Sequence, residues 1–206
     1  MEPGGAEPAV RPAVVAAGPA DHERIATIFA RAFQDDLAMA HIFPDPAVRA
    51  RKLPRFFRLI LDGGQDVGFP LMTAGGEAAT LWRPPGRAKI GLLEMLLHAV
   101  PMVRAFGSAL PRALRVGGAI DAHYPEGDFW YLHIAGCDPT AQGRGFGGAA
   151  IRAGLDRAGA VPAYLETATE ANVGLYQRLG FTVTGEWHVP KGGPKFWSMR
   201  REAGAG

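Results

Sequence analysis

Cys137 is the only cysteine among 206 residues, which rules out an internal disulfide and a cysteine-built zinc site. No metal site is expected, and a reducing compartment, the cytoplasm, is the expected location. An excess of charge of one sign is also missing. Twenty-two Lys and Arg stand against 20 Asp and Glu, and the net +2 is spread in mixed signs without a basic arm or stripe. That pattern argues against nucleic acid as a partner. No apolar run approaches ~20 residues, and the opening Met1-Glu2-Pro3-Gly4-Gly5-Ala6-Glu7 has neither the basic start nor the apolar core of a secretion signal. No membrane contact is expected. Glycine, by contrast, is plentiful at 28 residues, and it is densest in Gln142-Gly143-Arg144-Gly145-Phe146-Gly147-Gly148.

The length fits one domain with a substantial core, here residues 8–200, preceded by a disordered start (1–7) and followed by a frayed tail (201–206). Val10 to Ala17 reads as a strand. Asp21 is then expected to cap a helix whose Ile25, Ile28, Phe29, Ala32 and Phe33 recur at helical spacing. Asp45-Pro46 opens a second helix to Asp62, with Pro54 expected to disturb its first turns. Gly68 to Thr73 and Ala78 to Arg83 read as a hairpin about Ala74-Gly75-Gly76-Glu77. A helical insertion, about 87–120, follows; Ile90, Leu93, Leu96, Leu97 and Val100 fall on one face of it. Beyond it, strands are expected at Phe129 to Cys137, Ala163 to Thr167, Phe181 to Val189 and Lys195 to Arg200. Helices fill the gaps from Gly147 to Ala158 and from Thr169 to Leu179, the latter stopped by Gly180.

The glycine turn thus joins an apolar strand to an alanine-rich helix. Glycines allow positive φ and close approach, and the helix start offers unpaired N–H groups, so the turn is suited to holding phosphates. Gly143, Gly145 and Gly148 satisfy G-x-G-x-x-G, with Glu166 where a dinucleotide fold places its ribose-binding acid. Two features oppose that reading. Asp138-Pro139-Thr140-Ala141-Gln142 separates strand from turn, and fewer than ~60 residues remain for the rest of a two-halved nucleotide sheet. A Walker loop would end in Gly-Lys-Ser/Thr, whereas this one ends Gly147-Gly148-Ala149.

The run from Tyr131 to Gly147 resembles the acetyl-CoA-binding motif of the GNAT superfamily of N-acetyltransferases, a strand followed by Q/R-x-x-G-x-G/A. Tyr164-Leu165-Glu166-Thr167, then Asn172 and Leu175-Tyr176-Gln177-Arg178-Leu179-Gly180-Phe181, resemble that superfamily's next strand and helix. Trp130, His133 and Gly193-Pro194-Lys195-Phe196-Trp197 are most similar to puromycin-acetyltransferase-like small-molecule members. The resemblance implies an α+β, three-layer fold. It would have a mixed, mostly antiparallel sheet of six to seven strands with flanking helices, and a helical insertion between the third and fourth strands. It also implies acetyl-CoA as co-substrate and transfer to the amine of a small molecule by direct attack on the thioester. A homodimer is compatible with it. A non-catalytic acyl-CoA sensor and a protein N-acetyltransferase are the alternatives.

On this resemblance the amides of Gly143, Arg144, Gly145, Phe146, Gly147 and Gly148 hold the pyrophosphate, with Gln142 fixing the turn and the Arg144 side chain adding charge. Backbone atoms of Ala135, Gly136 and Cys137 pair with the pantetheine arm, and Asn172 also contacts it, unless it simply caps its helix. Tyr176 is the expected acid for the departing thiolate, its phenol having an ordinary pKa of about 10. For the base there are two candidates. His133 shares a strand face with Tyr131 and Ala135, opposite Leu132 and Ile134, but a satisfied core histidine is an equal reading. Glu166, a carboxylate within an apolar strand, is expected to face a polar cavity as base or ammonium binder, or else to anchor neighbouring backbone or an arginine.

Overall fold

The computed structural model describes residues 12–64, 67–89 and 99–204. Seven strands form one sheet: β1 (Val14–Ala16), β2 (Phe69–Thr73), β3 (Ala78–Arg83), β4 (Trp130–Cys137), β5 (Ala163–Thr167), β6 (Thr182–His188) and β7 (Lys195–Arg201). They lie in the order β1-β2-β3-β4-β5-β7-β6, and every neighbouring pair is antiparallel except β4 and β5. The helices are α1 (His22–Ala32), α2 (Leu37–Ile42), α3 (Pro46–Gly63), α4 (Ala99–Phe106), α5 (Leu110–Asp121), α6 (Phe146–Ala158) and α7 (Val173–Gln177). This is the mixed, mostly antiparallel, three-layer arrangement that the sequence implied.

Two apolar clusters flank the sheet. In one, Ile25 and Phe29 of α1 and Leu53 and Phe57 of α3 pack with Met72, Ala79, Leu81 and Ile134. In the other, Ile151 and Leu155 of α6 and Tyr176 of α7 pack with Trp82, Leu132, Leu165 and Met199. The helical periodicity read from α1 and α3 is therefore the periodicity of buried contacts. The insertion belongs to the first side, where Phe106 stacks on Phe43 with centroids 5.7 Å apart. Ile90, Leu93, Leu96 and Leu97 lie outside the described residues, as do residues 1–7.

Local details depart from expectation for identifiable reasons. Asp21 does not cap α1; its carboxylate accepts from Gly18 N at 2.9 Å, closing a 3-10 turn at Pro19–Asp21 ahead of the helix. Asp45 does cap α3, accepting from the N–H groups of Ala47 and Val48. Pro54 does not interrupt that helix, whose Leu53, Phe57 and Leu61 are buried to 2 % or less. Burying three large side chains offsets the roughly 3 kcal/mol that a mid-helix proline costs. The short α2 was not foreseen; Asp36 caps it through Met39 N at 3.0 Å.

Two irregularities of β4 set up the site. Opposite β3, Leu81 pairs with Ile134 but Trp82 with Leu132, which leaves His133 as the extra residue of a β-bulge. The expected common face of Tyr131, His133 and Ala135 opposite Leu132 and Ile134 is thereby broken. Leu132 packs with the α6 cluster and Ile134 with the α1 cluster, on opposite sides of the sheet. Toward β5, only Trp130↔Ala163 and Tyr131↔Tyr164 are paired. Past that point the two strands part, and the β5-facing backbone edge of β4 has no strand partner.

Candidate active site

The glycine turn sits where β4 ends. Asp138 accepts from Thr140 N at 2.9 Å and Thr140 Oγ1 at 2.7 Å, fixing a single 3-10 turn at Pro139–Ala141. Arg31 of α1 pairs with the same carboxylate at 3.0 Å. Gly143 (φ 75°) and Gly145 (φ 85°) then turn the chain into α6. A Cβ at either position would touch nothing, so the backbone angle, not crowding, calls for glycine. Gln142 to Gly145 are exposed, and the Arg144 guanidinium lies 5.1 Å from the Phe146 ring centroid. The Gln142 amide donates to Cys137 O at 3.4 Å. Exposed amides in positive-φ geometry at the start of a 13-residue helix form a cradle that fits an anionic diphosphate.

Cys137 lies beneath this cradle. Burial pushes its thiol pKa up, the Gly147 N–H opposes this, and the charges of Asp138 and Glu77 add to the rise. The thiol stays protonated and unactivated.

Tyr176 and Asn172 come from the short segment after β5. The expected single helix from Thr169 to Leu179 is a 3-10 turn (Glu170–Asn172) followed by the five-residue α7, and it ends near Gly180, at φ 86°, as expected. Asn172 makes no side-chain cap bond, and it is exposed. Tyr176 is buried in the α6 cluster, edge-on to Phe181 at 6.1 Å. Burial, and secondarily the Asp36 charge, push its phenol pKa up to about 12. Asp36 itself is raised by burial, against the pull of the Met39 and Ala38 N–H groups, Thr169 and Arg49.

His133 and Glu166 each lie two residues past the last paired position of β4 and β5, on either side of the split. Both carry a buried polar atom without a hydrogen-bond partner among the described residues, His133 Nδ1 and Glu166 Oε1. Burial lifts the Glu166 pKa to about 8, even though the Tyr131 and Tyr164 hydroxyls favour its charged form. Burial, helped by the Arg83 charge, drops His133 to about 3. His133 stacks on Tyr131 with centroids 5.3 Å apart.

Around these groups stands an aromatic wall of Tyr124, Tyr131 and Tyr164. Tyr124 meets Tyr131 edge-on at 5.1 Å. The Tyr164 hydroxyl lies 2.8 Å from Ser198 Oγ and 3.0 Å from His123 O, and the Trp187 indole N–H donates to Ser198 Oγ at 3.0 Å. Ser198 Oγ accepts from the Trp187 indole, and the single phenolic proton of Tyr164 is shared among the His123 carbonyl, Ser198 Oγ and the Glu166 carboxylate. Period-two alternation from Glu166 points back to Tyr164. Ser198 gave no such signal, because it faces Glu166 only through the β5–β7 register. Asp128, just before β4, is exposed. Among the described residues no group of His, Cys, Asp and Glu could hold a metal, and no helix is long and apolar enough to cross a membrane.

A parallel strand pair that splits beside a glycine turn, within this seven-stranded sheet, is the arrangement of the GNAT fold. Residues 114–181 match the family model described as the acetyltransferase (GNAT) family. The fold matches that of the Corynebacterium glutamicum histone acetyltransferase HPA2 and related acetyltransferase, at 26 % identity and TM-score 0.72, over 94 % of this chain and 97 % of that one. An N-acetyltransferase from Staphylococcus aureus matches with 15 % identity and TM-score 0.60, over 91 % and 99 %. The Drosophila melanogaster polyamine N-acetyltransferase, which forms N-acetylagmatine, matches with 16 % identity and TM-score 0.52, over 92 % and 100 %. The GNAT match over residues 114–181 and the shared fold together support an acetyltransferase. Members of that family use acetyl-CoA as co-substrate.

Proposed function

We propose that this protein acetylates the amine of a small molecule from acetyl-CoA by direct attack, with Glu166 as the base and Tyr176 as the acid. The observation that carries the reading is the Glu166 carboxyl. It is sealed from solvent at Oε1, unpartnered there, and poised at about pH 8 immediately past the β4–β5 split. A base with a pKa near the working pH is the one that combines correct protonation with sufficient basicity.

Acetyl-CoA, when bound, supplies the activated acyl thioester. The amides of Gly143 to Gly148 would receive its diphosphate, the unpaired edge of β4 at Ala135 to Cys137 its amide-bearing arm, and the uncommitted Asn172 side chain the same arm. Glu166 takes a proton from the incoming ammonium. His133, neutral throughout the working range, offers Nδ1 as an acceptor that orients the amine; with a pKa of about 3 it is too weak to serve as the base. As the C–N bond forms and the C–S bond breaks, Tyr176 would give its phenolic proton to the departing sulfur and take back the second proton shed by the attacking nitrogen, and Glu166 would release its proton to solvent.

Calorimetry with acetyl-CoA, together with mass-spectrometric detection of products across a panel of primary amines, tests the reading. Acetyl-CoA is expected to bind, and at least one small amine to gain an acetyl group. In Gly145→Ala, strain at φ 85° costs about 1–2 kcal/mol, so acetyl-CoA affinity should weaken about tenfold. No acetyl-CoA binding refutes the donor assignment, and binding without any product refutes the transfer.

A further inference from the structure

Ser198 is a buried serine of β7 that stands directly opposite Glu166 of β5 in the strand register, so the two side chains leave the same face of the sheet. Its Oγ has two partners. The Trp187 indole N–H donates to it at 3.0 Å, and the Tyr164 hydroxyl lies 2.8 Å away. Trp187 is itself held by near-parallel stacking, with ring centroids 4.1 Å from His123 and 4.8 Å from Phe196. An indole can only donate, so this stack fixes Ser198 Oγ as an acceptor beside Tyr164.

Tyr164 precedes Glu166 by two residues on the same face of β5, and its hydroxyl hydrogen-bonds the Glu166 carboxylate. A phenol has one proton, so whatever share it gives to Ser198 or to the His123 carbonyl is withheld from Glu166. Ser198 makes the shorter of those two competing contacts, 2.8 Å against 3.0 Å. With Oε1 already unpartnered, a donor drawn away from this buried carboxylate matters more than it would in water.

We propose that Ser198 is a positioning residue for the base: by holding the Tyr164 hydroxyl, it keeps the phenolic proton from Glu166 and leaves the carboxylate a stronger base. The inference rests on Glu166 acting as the base, as read above. The test is the pH dependence of kcat/KM in the wild type, Ser198→Ala, Tyr164→Phe and the double variant. An acceptor amine with a pKa below about 6 keeps its own titration out of the profile. Releasing one hydrogen bond to the carboxylate should move the rising limb down by about 0.5–1 pH unit in S198A. Tyr164→Phe removes the contested proton, so the limb should move up, and adding S198A should leave it there. A role in packing alone would act equally in both backgrounds. An unmoved or raised limb in S198A, or the same shift without Tyr164, overturns the inference and leaves Glu166 as base; a wild type with no limb near pH 8 overturns both. Urea unfolding at pH 5 and pH 9 reads the same carboxyl without turnover. S198A should lose less stability over that interval than the wild type, and an equal or greater loss refutes the inference. If the alanine variant does not fold, the isosteric pair Ser198→Thr and Ser198→Val makes the comparison: the limb should lie lower in S198V than in S198T, and coincident limbs refute the role of the hydroxyl.

Discussion

Replacing Glu166 with Gln removes a carboxyl that burial keeps protonated to about pH 8, against an ordinary value of 4.5. Because its folded pKa is raised, this group contributes most to stability below pH 4.5, and that contribution is lost as the pH climbs through 8. Each tenfold change in proton affinity is worth about 1.4 kcal/mol. The wild type therefore pays less than about 1 kcal/mol for this carboxyl at pH 5 and up to about 5 kcal/mol at pH 9. Glu166→Gln carries no such term; its buried amide adds an offset that does not depend on pH. Urea unfolding of both proteins at pH 5, 7 and 9 should show the mutant gaining on the wild type by up to about 4 kcal/mol across the range. Activity should move the other way. With an acceptor whose own pKa lies below about 6, wild-type kcat/KM should rise about tenfold from pH 7 to 9 as the carboxylate forms, while the mutant is flat and at least about 10²-fold slower. A stability difference independent of pH would refute the destabilised carboxyl, and a mutant that keeps the limb near pH 8 would refute Glu166 as base.

His133→Ala should retain the limb near pH 8, because the imidazole is already neutral there; its effect should fall on amine KM, and loss of the limb would return the base role to His133. Tyr176→Phe should keep acetyl-CoA affinity in calorimetry and lose about 10²-fold in kcat, whereas an unchanged kcat would remove the acid assignment. At Gly154 an added Cβ would overlap the Trp82 indole, which is fully buried between β3 and α6. Gly154→Ala should therefore cost about 1–3 kcal/mol, lowering Tm in calorimetry by about 3–10 °C, and an unchanged Tm would show that the helix can shift.

The strand, glycine turn and helix from β4 to α6 were legible because their signals are local. Strand, five-residue lead, two positive-φ glycines and helix follow one another in the chain, and each element's chemistry is decided within a few residues of itself. The boundaries of β3 and β5 were readable for the same reason: apolar runs closed by turn residues. Failures came where a partner strand decides. Nothing in Tyr131-Leu132-His133-Ile134 announces a bulge, since the two-against-one count exists only opposite Leu81 and Trp82. Asp36, Asp45 and Asp21 look alike as helix-starting acids, yet Asp21 bonds backward to Gly18.

The surroundings of Glu166 are non-local throughout, and that explains both their chemistry and their cost. Burial holds the Glu166 pKa up; β7 enters between β5 and β6 and sets Ser198 opposite it, where Ser198 bonds the Tyr164 hydroxyl and the Trp187 indole. Groups that could have stabilised the carboxylate are thus partly committed to one another, and Oε1 is left without a partner. A strand order that paired Glu166 with a free donor would give a more stable sheet and a weaker base. The bulge acts in the same direction on β4: it keeps His133 stacked on Tyr131 while Ile134 and Leu132 still reach their separate cores. The unpartnered atoms of His133 and Glu166 therefore arise at the one place where the β4–β5 ladder ends, and the stability forgone there is the physical origin of a carboxyl able to accept a proton near neutral pH.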